Sequence, residues 1–366
     1  MRGVSLLVLC CLGAACQTES GGSANGTSRE ALLESLAATV FTPTYAEFET
    51  ASAALAVASA EVCAAPGMTS LTAAREAWRT TRAPLKRAEA WSFGPIASLG
   101  VDSAVDFWPV RTDAVEAAIT SGEEPTQAWV TAQGTAAKGL PVIEYLLFAP
   151  LGEDSAIVAS LDPQTPQGEH RCAVVAALGE RVAARAAELH LAWRPDGGDY
   201  SGRLSADGDD TPDNPSLRMA VSDVVNGMIF VLQDITDGKL GRPLGLKSGG
   251  TPQPDDVESR FSDRGRADIV ANIEGVRDVY LGVGGLGLTD VVAPLNGELD
   301  TSIRTQLDAA IAAVEALSDP LRLSVLDDPA SVHTVRDVVR DLRRLFEVDV
   351  AGLLGINVAL SDNDGD

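Results

Sequence analysis

Residues 139–148 read Gly-Leu-Pro-Val-Ile-Glu-Tyr-Leu-Leu-Phe, uncharged positions around a single carboxylate, Glu144. An acid among apolar neighbours is costly unless it is paired, hydrogen-bonded or bound to a ligand. Two roles are therefore open to Glu144: a ligand-site acid, or a structural acid paired with an arginine or a helix terminus. Pro141 suits the first turn of a helix, where its missing N–H is no loss. Glu144 then lies about one turn in, near the positive end of the helix dipole, which favours its ionised form. Other metal-binding chemistry is sparse. The histidines are His170, His190 and His333, none in a His-Glu-x-x-His arrangement, and no Cys-x-x-Cys or Cys/His cluster exists. A zinc peptidase needs about three protein ligands and a base. Oxygen-only ligation suits a hard cation, ferric iron included, better than zinc.

The elements that must position such an acid read as helices. No strand-period segment extends beyond a few residues, so an all-α fold is expected. Phe48, Leu55 and Val62 recur at sevenfold spacing, filled in by Ala51 and Ala58, which predicts a helix over 44–64 that stops at Pro66-Gly67. A second helix is expected over 69–91, holding Trp78, Arg82, Arg87 and Glu89. Residues 92–112 read as a loop carrying Asp102, Asp106, Phe107, Trp108, Pro109 and Arg111. Long connections rich in aromatics and acids are often functional, and Trp108 is either a core anchor or a ligand contact. Further helices are expected over 125–138, through 139–148, and over 169–193, 216–237, up to Tyr280, 296–317 and 331–354. Residues 195–215, crowded with Gly, Pro and Asp, read as a flexible acidic loop between an N-terminal bundle (28–194) and a C-terminal bundle (216–360). That loop lacks the spacing of an EF-hand, so it is not a designed calcium site.

The chain has 366 residues, is 45% hydrophobic and carries a formal net charge of −24. Such a charge is expected to repel nucleic acid and anionic lipid, and serves either cation attraction or solubility alone. Arg2, the apolar run 4–12 and the small residues Gly13-Ala14-Ala15 before Cys16 form an export signal over 1–15, too short to span a membrane. Cys16 directly after small residues is similar to a lipoprotein processing site; plain secretion is the alternative. Gln17 is compatible with sorting to the periplasmic face of the outer membrane, with residues 16–27 as a flexible tether. The lipid anchor is then the expected membrane contact. Cys63 and Cys172 remain as an even pair in an oxidising compartment, either bonded or merely packed. The tail at 361–366 is acidic: a solvated end, or oxygens for a hard cation.

Several stretches, in this order along the chain, resemble the imelysin family of bacterial envelope proteins, also called M75 peptidase-like or iron-regulated protein A-like. They are Arg82-Ala83-Pro84, Glu89 through Pro95, Phe107-Trp108-Pro109, Gly139 with Glu144 and Tyr145-Leu146-Leu147-Phe148, Lys239 through Gly245, Val257 through Ser262, and the Asp-x-Asp-Gly-Asp end. The family carries Gly-x-His-x-x-Glu where this chain has Pro141 in the His position, as in a branch with Gly-Leu-Pro. His and Glu three apart on a helix share a face and can bind one metal; Pro offers no ligand.

The resemblance implies two helical-bundle halves with a site near their junction. It would pool Glu89, Asp106, Trp108 and Glu144 from the first half with Glu258 and Arg260 from the second. Without the histidine, a metal would rely on Glu144, Glu89 and Asp106, with iron or another hard cation as the expected ion. The implied function is a non-enzymatic envelope protein in iron or other metal acquisition, serving an envelope transport partner. The alternatives are an M75-type metallopeptidase, which the missing histidine disfavours, and a binder of a small organic or peptide ligand in the inter-bundle cleft, with Arg260 holding a carboxylate.

Overall fold

The computed structural model describes residues 27–148 and 153–359. The expected export signal, Cys16, nearly all of the expected tether and the residues 361–366 lie outside them. The described residues form helices and turns with no strand, as expected. The frame is built on α1 (Thr42–Ala64), α2 (Met68–Ala88), α3 (Leu140–Phe148), α4 (Pro166–Trp193), α5 (Leu217–Gln233), α6 (Gly265–Leu281), α7 (Gly297–Glu315) and α8 (Pro329–Arg344).

The first half is organised around α1, α2 and α4. The sevenfold stripe Phe48, Leu55 and Val62 is buried, as are Leu71, Ala74 and Trp78 of α2 and Leu178, Val182 and Leu189 of α4. Ser28 can cap a helix from Arg29 on the sequence alone, and the structure has that helix leading into α1. α1 continues from a helix at Arg29–Leu36, capped by the Ser28 side chain, through a π turn at Ala37–Phe41. The wider turn accommodates Pro43, which has no N–H to return. A disulfide joins Cys63 at the end of α1 to Cys172 near the start of α4, with Cα atoms 5.3 Å apart.

Two stretches expected as loops contain helix. Within 92–112, short helices form at Pro95–Ser98 and Val101–Val105. Within the acidic segment 195–215, Tyr200–Ser205 is helical and capped by the Asp199 side chain. The cause is burial: the Tyr200 ring lies 4.9 Å from that of Trp193, which also meets Phe41 and Tyr45. One aromatic anchor thus pins a segment whose composition reads as solvated chain.

One hydrophobic core continues from the first half into the second. Leu217–Lys239 is as long and apolar as a membrane span, but Val224, Val225, Met228 and Leu232 are buried in that core. Two glycines set how closely the halves meet. A Cβ on Gly275 of α6 would lie 2.1 Å from the Arg87 carbonyl oxygen, and one on Gly227 of α5 would lie 2.7 Å from that of Ala90. Both helices therefore rest directly on the backbone at the end of α2, where the candidate site lies.

Candidate functional site

Arg82, Lys86 and Glu89 recur at i, i+4 and i+7, so they project from one face at the end of α2. That face is turned into the junction, and Arg82 and Lys86 are only 1% and 2% exposed. α6 answers with the same spacing: Asp268, Asn272 and Gly275. The glycine allows the approach, while Asp268 and Asn272 supply the polar contacts. Asp106, just after Val101–Val105, Lys239, ending the π turn after α5, and Glu258, in the turn at 257–264, complete the cluster.

Arg82 reaches three acids. Its Nη2 donates to Asp268 Oδ2 at 2.6 Å and to Glu258 Oε1 at 3.0 Å, and its Nη1 to Asp106 Oδ1. Lys86 Nζ lies 2.6 Å from Glu89 Oε1 and 2.7 Å from Asp106 Oδ2, and also donates to Glu258 Oε1. Lys239 Nζ lies 2.7 Å from Glu89 Oε2, 2.8 Å from Asn272 Oδ1 and 3.1 Å from Glu258 Oε2. Asn272 donates to the Lys86 carbonyl and to Glu89 Oε2, and Ser259 and Arg264 donate to Asp268. Arg82, Lys86, Lys239 and Arg264 thus face Glu89, Asp106, Glu258 and Asp268, with Asp234 a fifth carboxylate 3.6 Å from Lys239.

This balance favours the charged forms of the lysines and of Glu258 despite burial, whereas at Asp106 burial outweighs Arg82 and Lys86 and raises the pKa. Burial alone would lower the pKa of Lys86 and Lys239, but the surrounding carboxylates outweigh it and hold both above the usual lysine value. Burial likewise pushes Glu258 up, and Lys239, Lys86 and Arg82 outweigh it, holding the carboxylate well below its usual range. At neutral pH this is a lattice of buried ion pairs, strong only while every partner is present.

Glu144 lies apart from the lattice. It is 3% exposed, and its Oε1 accepts the N–H groups of Phe261 and Ser262 at 3.0 and 2.8 Å and the Ser262 hydroxyl at 2.8 Å. It therefore holds a backbone turn of the second half, with neither Arg82 nor Arg260 as its hydrogen-bond partner. Its own helix does not settle its charge as expected. Burial is the largest influence and raises its pKa to about 7, against the lowering effect of Ser262 and Arg82.

Trp108, Glu144, Glu258 and Arg260 do line one common cavity, together with Arg82 and Pro141. Its volume is about 10 Å³, on the order of a single water. Arg260 turns to Asp255 and not to the cluster: it donates to the Asp255 carbonyl, lies 3.5 Å from the Asp255 carboxylate, and its guanidinium lies 4.7 Å from the centre of the Phe261 ring. Trp108 carries the guanidinium of Arg242 at 4.9 Å from its ring centre, a further bridge between the halves. His190 is half-buried against Glu49 and belongs to none of this.

Sequence reasoning missed Lys86, Asp268 and Asn272, placed Lys239 in a motif without assigning it a role, and offered Arg82 as a partner for Glu144, whose hydrogen bonds go to Phe261 and Ser262 instead. The available signal was the i, i+4, i+7 run of charge ending α2, matched by Asp268 and Asn272 on α6. Of the proposed metal ligands, Glu89 and Asp106 come together, with Glu258 as the third carboxylate: one oxygen from each lies within 4.8 Å of the others. Glu144 is not in that group. The donors are hard oxygens, but the three acids already share the Lys86 ammonium, and a metal bound to them would overlap it. As folded, the cluster does not fit a metal ion.

The imelysin family model, Peptidase_M75, matches residues 41–348. A protein of Synechococcus elongatus described as iron-regulated protein A is 26% identical over 274 residues, spanning 74% of this chain and 70% of the relative. A solved structure from Parabacteroides distasonis, described as an iron-regulated protein A precursor, superposes with a TM-score of 0.76 at 21% identity, covering 91% of this chain and 96% of that one. An imelysin-like protein from Psychrobacter arcticum superposes with a TM-score of 0.73 at 19% identity, covering 92% and 100%.

Proposed function

Because the chain belongs to the imelysin family, we propose that it is an exported, non-enzymatic binding protein working in iron or other metal acquisition at the cell envelope. The observation that carries the non-enzymatic part is the occupancy of the junction. Lys86 contacts Glu89, Asp106 and Glu258 together, so these acids have no open position at which a metal could activate water. The neighbouring cavity, of about 10 Å³, has no room for a peptide bond. The iron connection rests on the name of the Synechococcus relative, and export on the word precursor in the description of the Parabacteroides protein. The signal anatomy before Cys16 agrees with export and adds a lipid anchor on the periplasmic face of the outer membrane.

Binding then falls to the outer surface. A groove of about 920 Å³ runs between α1 and α2, floored by Pro43, Ala46, Ala54 and Pro84 and edged by Arg79 and Arg87. It is large enough for a small organic ligand or a segment of a partner protein.

The deciding experiment pairs two assays. A peptide-cleavage assay with and without chelator should show no turnover in either condition, and chelator-sensitive cleavage would overturn the non-enzymatic reading. A strain lacking the protein should grow normally with ample iron and poorly when iron is scarce. Equal growth in both would remove the iron role. Cys16→Ser should move the protein from the membrane to the soluble envelope fraction; unchanged fractionation would remove the anchor.

A further inference from the structure

We propose that Lys86 is a built-in counter-cation holding the place of a metal ion among Glu89, Asp106 and Glu258, and that truncating it converts the junction into an oxygen-ligand site for a hard cation. It rests on the same observation as the non-enzymatic reading, the occupancy of the junction by Lys86.

The three carboxylates come from separate elements. Glu89 lies in the 3₁₀ turn after α2, Asp106 follows the short helix Val101–Val105, and Glu258 sits in the turn before α6. They nonetheless converge until one oxygen of each lies within 4.8 Å of the others. Three ionised oxygens at that spacing repel one another unless a positive charge sits among them. The Lys86 ammonium is that charge, touching all three.

The fit to an ammonium is incomplete, and the shortfall points to what else would fit. Asp106 Oδ2 and Glu258 Oε2 make no hydrogen bond, although their side chains are only 5% and 7% exposed. Lys86 meets Asp106 Oδ2 at 2.7 Å without a hydrogen-bonding angle, and Glu258 Oε2 faces Lys239 Nζ at 3.1 Å. A spherical ion in the place of the ammonium has no angular requirement and would engage Asp106 Oδ2 directly. Arg82 holds Asp106 Oδ1 and shares Glu258 Oε1 with Lys86, and Lys239 holds Glu89 Oε2 and faces Glu258 Oε2. They would remain as walls that orient the acids. Glu89 keeps 20% of its side chain exposed, which gives an ion a way in. The donor set is all oxygen and anionic, which selects a hard cation.

The test uses the mature protein and Mn²⁺ as probe, followed by calorimetry and by the paramagnetic signal of the free ion. The wild type should show no saturable binding of one Mn²⁺ per chain. Lys86→Ala should bind one Mn²⁺ at least about tenfold more tightly, and Lys86→Ala with Glu258→Gln should lose it. Should Lys86→Ala fail to fold in chelator, its helical circular dichroism is followed as Mn²⁺ is added. Recovery of the folded signal supports the proposal, and no recovery overturns it. A folded Lys86→Ala that binds no Mn²⁺ also overturns it. So does a wild type that binds one Mn²⁺ and loses it on Glu258→Gln. That last result would also remove the occupancy argument from the non-enzymatic reading, which the peptide-cleavage assay then decides alone.

Discussion

Glu144 and Ser262 are bound twice over: one carboxylate oxygen accepts both the backbone N–H and the hydroxyl of Ser262, each at 2.8 Å. A helix of the first half thereby grips a turn of the second. Burial raises the folded pKa of Glu144 from 4.5 to about 7. The folded state therefore binds more protons than the unfolded state between those values, so stability falls as pH rises through that window. The contribution is complete below pH 4.5 and gone above about 7. Its size is about 3 kcal/mol. Glu144→Gln keeps an acceptor and cannot ionise, so it should flatten this slope and match or exceed the wild type at alkaline pH. Glu144→Ala strands two buried N–H groups and should cost about 2–4 kcal/mol. Urea titrations across the pH range would check both, and identical slopes for wild type and Glu144→Gln would exclude Glu144 as the source.

Arg82 faces Asp106, Glu258 and Asp268 with almost no exposure. Arg82→Met should cost about 3–5 kcal/mol, because removing one partner leaves buried carboxylates uncompensated. The same substitution at Arg340, exposed on α8 beside Asp337, should cost less than about 1 kcal/mol. Chemical denaturation of the two variants side by side makes the comparison. Equal effects would mean the lattice adds nothing.

Reducing the Cys63–Cys172 disulfide frees a loop with a sequence separation of 109 residues. The loss should be about 2–4 kcal/mol, seen as a lower melting temperature in reductant. Alkylation without reductant, followed by mass measurement, should label neither cysteine.

Gly275→Ala would place a methyl group 2.1 Å from the Arg87 carbonyl oxygen. Both sides of that contact are backbone, so relief requires α6 to move off α2. A cost of about 1–3 kcal/mol is expected. Gly297→Ala, at the start of α7 with open space around it, serves as the control and should be near neutral.

The helices were legible because apolar spacing along α1, α4 and α8 reports the buried face directly. The lattice was not, and the reason is physical. A charged stripe such as Arg82, Lys86 and Glu89 looks the same whether it faces water or a partner helix, and water is the usual neighbour. The difference lies in Asp268 and Asn272, nearly two hundred positions away. Glu144 was legible as an acid in need of a partner. That partner is the backbone of Phe261 and Ser262, and backbone donors are present in every sequence. Tyr200 was hidden for a related reason: its acidic, glycine-rich neighbours outweigh one ring in composition, whereas a single buried ring can order a short helix.

Trp78, Trp91, Trp108, Trp129 and Trp193 all precede the acidic segment, and no tryptophan follows it. Trp91 and Trp193 are fully buried in the aromatic cluster, and Trp91 lies beneath Gly227 of α5. Tryptophan emission therefore reports the first half and its contact with α5, while far-ultraviolet circular dichroism reports helix in both halves. If the two glycine contacts fuse the halves into one cooperative unit, the two signals will melt along a single curve. If the second half can come apart alone, ellipticity will fall first while the fluorescence of the first half persists.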